Sequence, residues 1–210
     1  GDADRLIAVD AQGKLVDGDK IMLICARHLK EQGRLRQNTL VVTVMSNLGL
    51  LLAAKALGIN TVATQVGDRH VLEEMLNNDY NLGGEQSGHI IFRDYATTGD
   101  GILSALQLMQ VMVSSGRSLA ELATVMEYLP QVLYNVRVAI KDGWQENIKI
   151  TQAISQAEES LKGQGRVLVR PSGTEPLIRV MLEGPDQSQL EELAQEIAAV
   201  IKEEQGLSSS

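Results

Sequence analysis

A β-branched run, Leu40 to Met45, is followed by an apolar stretch from Leu48 to Leu57, a stop at Gly58 and a second β-branched run from Thr61 to Gln65. Short apolar runs of β-branched residues bounded by turn residues read as strands. The longer apolar segment between them, ended by glycine, reads as a helix. A strand, a helix and a strand this close together form a βαβ unit, with parallel strands and a right-handed crossover. A parallel pair needs helices on both of its faces, so the rest of the chain has to supply them.

The flanking sequence does so. Arg5 to Asp10 reads as a strand and Gln12-Gly13 as a turn. Asp17-Gly18-Asp19 offers an N-cap to a helix with Ile21, Ile24, Cys25 and Leu29 on one face. Further helices follow Gly67-Asp68-Arg69 and Thr97-Thr98-Gly99-Asp100-Gly101, the second carrying Ile102, Leu106, Met109 and Val113. Ser118 starts a short helix ending near Tyr128-Leu129-Pro130, where the texture changes and a domain boundary is expected. Beyond it come a strand over 132–140, a polar linker at Asp142-Gly143, a helix over 148–161 and strands over 167–170 and 177–183. The last helix begins at Pro185-Asp186, carries a stripe of Leu190, Leu193, Ala194, Ile197 and Ile201, and has Gln189 at capping-box spacing. The tail Ser208-Ser209-Ser210 is expected to fray. The expected fold is α/β. Residues 13–129 form a βαβ mixed-sheet domain with helices on both faces, residues 130–210 a smaller α+β domain, and residues 1–12 the end of a preceding domain.

With 210 residues, 44% of them hydrophobic, the chain can bury a real core. Its 19 basic and 27 acidic residues give a net charge of −8, which argues against long-range attraction of nucleic acid. Arg34 and Arg36 are accordingly read as a solvated loop. Anion binding has to be local. The apolar run from Leu48 to Leu57 is too short to span a bilayer, so no membrane partner is expected. The single Cys25 cannot form an internal disulfide and sits at an apolar position. No charged start leads into a cleavable apolar segment, and a cytoplasmic protein is expected.

Arg170-Pro171-Ser172-Gly173-Thr174-Glu175-Pro176 has the residue types that a phosphate monoester needs from a loop. Arg supplies a forked donor, Ser and Thr supply hydroxyls, and Gly lets backbone N–H groups approach the oxygens. The same letters also suit a plain turn between strands. Gly84-Glu85-Gln86-Ser87-Gly88-His89 packs a carboxylate, an amide, a hydroxyl and an imidazole between glycines, as a polyhydroxylated ligand requires. In Gly1-Asp2-Ala3-Asp4-Arg5, two carboxylates one residue apart can present hard oxygens to Mg²⁺. An EF-hand would need glycine where Arg5 stands, and a phosphatase of the Asp-x-Asp class would place its acids after a strand, not before one.

Together these three segments resemble the α-D-phosphohexomutases, whose loops read Asp-Gly-Asp-x-Asp-Arg, Gly-Glu-x-Ser-Gly-His and Arg-x-Ser-(Asn/Gly)-Thr-x-Pro. The resemblance covers essentially the whole chain, yet the chain starts inside the metal motif and lacks the family's phosphoserine segment. It therefore implies the carboxy-terminal part of a longer enzyme, inactive by itself. Gln86 and the Pro-Ser-Gly-Thr-Glu-Pro wording are most like the bacterial amino-sugar branch, which implies interconversion of glucosamine 6-phosphate and glucosamine 1-phosphate. Related mutases of glucose or mannose phosphates, and a non-catalytic sugar-phosphate-binding module, stay open as alternatives.

The resemblance implies Asp2 and Asp4 as Mg²⁺ ligands, Arg5 and His89 as catalytic residues, and Glu85 and Ser87 as partners of ring hydroxyls. It implies Arg170, Ser172, Gly173 and Thr174 as phosphate ligands, with Arg179 a further candidate and Glu175 structural, turned away or paired with an arginine. Arg69 is a substrate-contact candidate, beside the plain reading of Asp68 as an N-cap and Arg69 as a surface residue. His89 also has a structural reading, as a satisfied residue beside a strand. The expected partner is a phosphosugar, with a homodimer compatible.

Overall fold

The computed structural model describes residues 2–206; Gly1 of the metal-loop motif and the tail Ser208-Ser209-Ser210 lie outside the described residues. The chain divides into two units, Gly1–Tyr128 and Leu129–Ser210.

The first unit opens on a hairpin, β1 (Ala8–Val9) with β2 (Leu15–Val16); β1 lies inside the strand expected from Arg5 to Asp10, Gln12-Gly13 falls in the connecting turn as expected, and β2 has no counterpart in the sequence reading. Helix α1 (Gly18–Glu31) starts where Asp17 accepts from Lys20 N. Strand β3 (Thr39–Thr43), α2 (Leu48–Ala56) and β4 (Asn60–Thr64) complete the βαβ unit, with β3 and β4 parallel and in register from Thr39↔Asn60 to Thr43↔Thr64. Helix α3 (Asp68–Asn77), β5 (Leu82–Gly84) and β6 (Ile90–Phe92) follow, then α4 (Gly101–Ser115) and α5 (Leu119–Leu122).

The four strands are ordered β4-β3-β5-β6, with β5 parallel to β3 and β6 antiparallel to β5. All five residues of β3 are buried, as befits a central strand covered on both sides. Alternation along it divides the core. Leu40 and Val42 pack with α1, α2 and α4 residues such as Ile21, Leu50 and Leu108, whereas Val41 packs with Val71 and Met75 of α3 and with Ile91.

The structure places one apolar stripe and adds partners to one arginine. Helix α4 buries Ser104, Leu108 and Val111, while Ile102, Leu106, Met109 and Val113 stand exposed. The helix is uncharged and has apolar residues on both its inner and outer faces, so periodicity alone could not say which face is covered. Arg36 is exposed, as expected, but it is also paired. Its guanidinium bridges Asp79 (2.6 Å) and Asp94 (2.7 Å), and its N–H donates to Asn81 Oδ1, tying the segment after α1 to the ends of β5 and β6. Arg93 also pairs with Asp79 and, with Arg36, holds its carboxyl below the usual carboxylate range. Arg34 donates to the Tyr95 hydroxyl at 3.2 Å.

The second unit is an antiparallel sheet ordered β7-β9-β8, from β7 (Gln131–Arg137), β8 (Arg166–Pro171) and β9 (Leu177–Glu183), with α6 (Ile148–Ser160) and α7 (Gln187–Gln205). Its core joins Val132, Val136, Ile178, Val180 and Leu182 of the sheet to Ile150 of α6 and Leu190, Ala194, Ile197 and Ile201 of α7. Asp186 caps α7 by accepting from Ser188 and Gln189 N–H. The Gln189 side chain does not complete a capping box but donates to Ser160 O, and a capping box forms instead between Ser118 and Glu121 on α5.

Candidate functional site

In the first unit three loops far apart in sequence meet. The chain over residues 3–6 passes along the turn between β5 and β6: Leu6 N donates to Gly88 O at 3.0 Å, and Arg5 forms an antiparallel bridge with His89. Gly88 is required there. Its φ is +92°, and a Cβ would lie 2.2 Å from Leu6 O. The turn closes on itself through Glu85 N to His89 O (2.9 Å) and Gly88 N to Glu85 O (3.0 Å). At its base, Gly18 N at the start of α1 donates to Gln86 O.

This frame places the side chains. Glu85 Oε1 accepts from Gly67 N at 2.9 Å, and Ser87 Oγ donates to Glu85 Oε2 at 3.4 Å, so the turn over residues 85–89 is linked to the start of α3. His89 is buried. Its Nε2 lies 3.7 Å from Asp4 Oδ2 and 3.8 Å from Asp68 Oδ2, and its Nδ1 has no hydrogen-bond partner among the described residues. Asp68 is not an N-cap: Gly67 holds that place, and Asp68 is the first helical residue, accepting from Arg69 N. Arg69 is exposed, and among the described residues its guanidinium has no hydrogen bond or ion pair. Asp2 is exposed and 3.4 Å from Arg5 Nε.

Asp2 and Asp4 come from one turn and are hard oxygen donors, a chemistry that fits a divalent cation such as Mg²⁺. Among the described residues no three acidic, histidine or cysteine side chains gather as a ready-made metal cage.

The phosphate-type loop joins β8 to β9 in the second unit. Arg170 stands on β8 in direct register with Arg179 on β9, and burial together with the Arg179 charge lowers the Arg170 pKa. Arg179 is also 3.6 Å from Glu175, one of the two arrangements expected for that acid. Ser172 is buried and frames the turn. Its N–H donates to Leu177 O at 2.9 Å and its Oγ accepts from Glu175 N at 3.3 Å. Gly173 and Thr174 are exposed at the tip, and a Cβ on Gly173 would meet no protein atom within 4 Å.

Two neighbours were not singled out from the sequence. Lys141 Nζ donates to Ser172 O at 2.9 Å, adding a cation beside the loop. Gly99 lies flat against the His89 ring: a Cβ there would come within 2.4 Å of Nε2, 2.6 Å of Cδ2 and 2.7 Å of Cε1. Lys141 lay in the stretch read as a linker and Gly99 in a helix-start segment, and neither place signals a distant contact.

A family model described as phosphoglucomutase/phosphomannomutase, alpha/beta/alpha domain III, matches residues 17–128, more than half of the chain. The chain belongs to the phosphoglucomutase/phosphomannomutase family. The C-terminal-domain model of that family matches residues 133–200. Among curated relatives, the phosphoglucosamine mutase of Caldicellulosiruptor saccharolyticus is 57% identical over 204 residues, covering 96% of this chain and 45% of that protein. The phosphoglucosamine mutase of Geobacillus thermodenitrificans is 57% identical over 207 residues, covering 99% and 46%. The chain therefore spans about half the length of the curated relatives it matches.

Solved structures share the fold at lower identity. An Aspergillus fumigatus N-acetylphosphoglucosamine mutase matches with a TM-score of 0.80 at 22% identity, over 97% of this chain and 47% of its own. The same enzyme in complex with GlcNAc-6P and magnesium matches with a TM-score of 0.75 at 23% identity, over 96% and 50%. An N-acetylglucosamine-phosphate mutase of the alpha-D-phosphohexomutase superfamily, in its substrate complex, gives 0.73 at 25% identity, over 96% and 47%. No helix among the described residues is long and apolar enough to cross a membrane.

Proposed function

We propose that this chain is the carboxy-terminal part of a phosphoglucosamine mutase, an isomerase that interconverts glucosamine 6-phosphate and glucosamine 1-phosphate. The observation that carries this reading is the meeting of Asp4, Asp68, Glu85 and His89 around one turn of the first unit. Identity of 57% to phosphoglucosamine mutases supports the choice of substrate.

Each residue then has a task. Gly67 N–H fixes one oxygen of Glu85, and the other, shared with Ser87, accepts from sugar hydroxyls. His89 meets the transferring phosphoryl group through Nε2, and Arg5 binds a phosphoryl oxygen beside it. Arg69, at the first turn of α3 where helix N–H groups favour anions, contacts the substrate. Asp2 and Asp4 hold Mg²⁺, which when bound neutralises charge on the transferring group. Arg170, Ser172, Gly173 and Thr174, backed by Arg179, grip the phosphate that is not reacting and so supply positioning. A phosphoserine outside these 210 residues donates the phosphoryl group, giving a bisphosphorylated sugar that reorients and returns the other one. Residues 1–12, packed within the first unit here, are the end of the metal-loop domain that precedes it.

A turnover assay tests the reading. The 210-residue chain alone is expected to be inactive, and a longer chain that joins it to the preceding part of a relative should convert glucosamine 6-phosphate. In that longer chain Glu85→Gln should raise KM and His89→Asn should lower kcat. Equal kcat/KM for glucose or mannose phosphates would overturn the substrate assignment, and turnover by the 210-residue chain would overturn the division of labour.

A further inference from the structure

Helix α4 has an apolar face that nothing among the described residues covers. Ile102, Leu106, Met109 and Val113 are 75%, 55%, 49% and 83% exposed. Their spacing of four, three and four residues aligns them in one seam, as at the contact positions of paired helices. The opposite side of α4 is committed to the core through Ser104, Leu108 and Val111. From Gly101 to Ser115 there is no charged residue, in a chain of which 22% is charged. A contiguous exposed apolar seam on an uncharged helix marks an interface.

The place of this seam says what covers it. Gly101 N, in the first turn of α4, donates to Ala3 O at 2.9 Å, and a Cβ on Gly101 would lie 2.3 Å from Arg5 O. Any polypeptide that precedes Asp2 therefore leaves the first unit beside Ile102, at one end of the seam. The curated relatives have more than half of their length outside the matched region, and the models matched here are a domain III and a C-terminal domain. We infer that the α4 seam is the docking face for the domain that precedes this segment in the longer protein, and that its occupant presents an apolar, largely uncharged surface to Ile102, Leu106, Met109 and Val113. The inference rests on the reading of this chain as part of a longer protein. It is independent of the substrate.

The experiment introduces Leu106→Glu and, separately, Val113→Glu into two proteins: the 210-residue chain, and a chimaera in which it follows the preceding part of the Geobacillus thermodenitrificans relative. Both side chains are exposed here, so the 210-residue chain should keep its circular dichroism and a Tm within about 1 °C of the parent, whereas the chimaera should lose several degrees of Tm and become sensitive to trypsin ahead of α1. If Leu106→Glu alone disturbs the 210-residue chain, Val113→Glu, the more exposed site, decides. A chimaera as stable and protease-resistant with either glutamate as without it overturns the inference. So does a chimaera that sediments as a dimer and becomes monomeric with either glutamate at unchanged Tm, because the occupant is then a second copy. Both readouts are of stability and assembly, so a chimaera that turns over some other hexose phosphate, or none, leaves the inference standing.

Discussion

Arg170 and Arg179 stand directly opposite each other across the β8–β9 ladder, two guanidinium groups on one face of the sheet beside the Ser172–Glu175 turn. Like charges at directly opposed positions disfavour the sheet. Burial and the Arg179 charge both act against the charged form of Arg170, and Glu175, 3.6 Å from Arg179, offsets part of the repulsion. Arg170 stays charged at neutral pH, so the cost cannot be relieved by titration there. An anion bound between the two guanidinium groups would relieve it.

Inorganic phosphate should accordingly raise the Tm of the 210-residue chain, and Arg170→Ala should abolish that rise. In a longer, active protein the same substitution should remove about 1.5–3 kcal/mol of charge-assisted binding, divided between kcat and KM. Arg170→Lys should recover only part, because it keeps the charge and loses the fork. Scanning calorimetry against phosphate concentration checks the first point, and an equal phosphate response in Arg170→Ala would refute it.

Gly99→Ala should damage the His89 environment. The added methyl would sit inside contact distance of three ring atoms, so the ring or the loop must move, at about 1–3 kcal/mol of overpacking. Urea denaturation gives that figure, and the His89 ring resonances should shift in the proton–nitrogen spectrum. In an active longer chain kcat should fall more than KM rises, since the substitution displaces Nε2 relative to Asp4 and Asp68 without touching Glu85.

The second unit holds a buried ion pair. Glu183 is fully buried, takes Arg166 Nε at 2.5 Å and accepts from Gln131 Nε2 at 2.9 Å. Arg166→Ala removes the cation from a carboxylate that stays buried and should cost about 3–5 kcal/mol. The double substitution Arg166→Met with Glu183→Leu should restore most of that, since it removes the charge as well as its partner. Equal destabilisation by the single and double variants, in guanidinium melts, would count against the pair as the cause.

Cys25 supplies a pH signature. Burial pushes its thiol from an ordinary value near 9 up to about 12. Below pH 9 folded and unfolded chains both hold the proton. Between about 9 and about 12 the unfolded chain loses it first, so stability should fall as pH rises through that window, by up to about 1.4 kcal/mol per pH unit. Tyr128, raised by burial and by its hydrogen bond to Asp17, acts in the same direction. Cys25→Ala should flatten the slope, and native Cys25 should resist iodoacetamide at pH 8 yet react fully in urea.

The architecture was legible where a physical cause is local. Strands β3 and β4 and helix α2 follow from β-branched runs, an apolar segment and Gly58, and β9 occupies the expected residues 177–183. What was missed depends on partners. The β1–β2 hairpin has only two residues in each strand, too few for alternation to register. The pairing of the exposed Arg36 was missed because Asp79 and Asp94 are more than forty residues away. The α4 seam looked like any helical stripe, because sequence reports that a face is apolar and not whether anything lies against it. The loop motifs could be read one by one, since hydroxyls, carboxylates and guanidiniums declare their chemistry. The contact of Gly99 with His89, and of Lys141 with Ser172, has no local trace.

The turn over residues 85–89 is held by main-chain bonds from Leu6, Gly18, Glu85 and Gly88, so its shape depends little on the exposed Ser87 side chain. A substitution at Ser87 can therefore change the chemistry presented at the tip of the turn without rebuilding it. Such a scaffold separates what the loop offers from what keeps it in shape, so its exposed position can vary at little risk to folding.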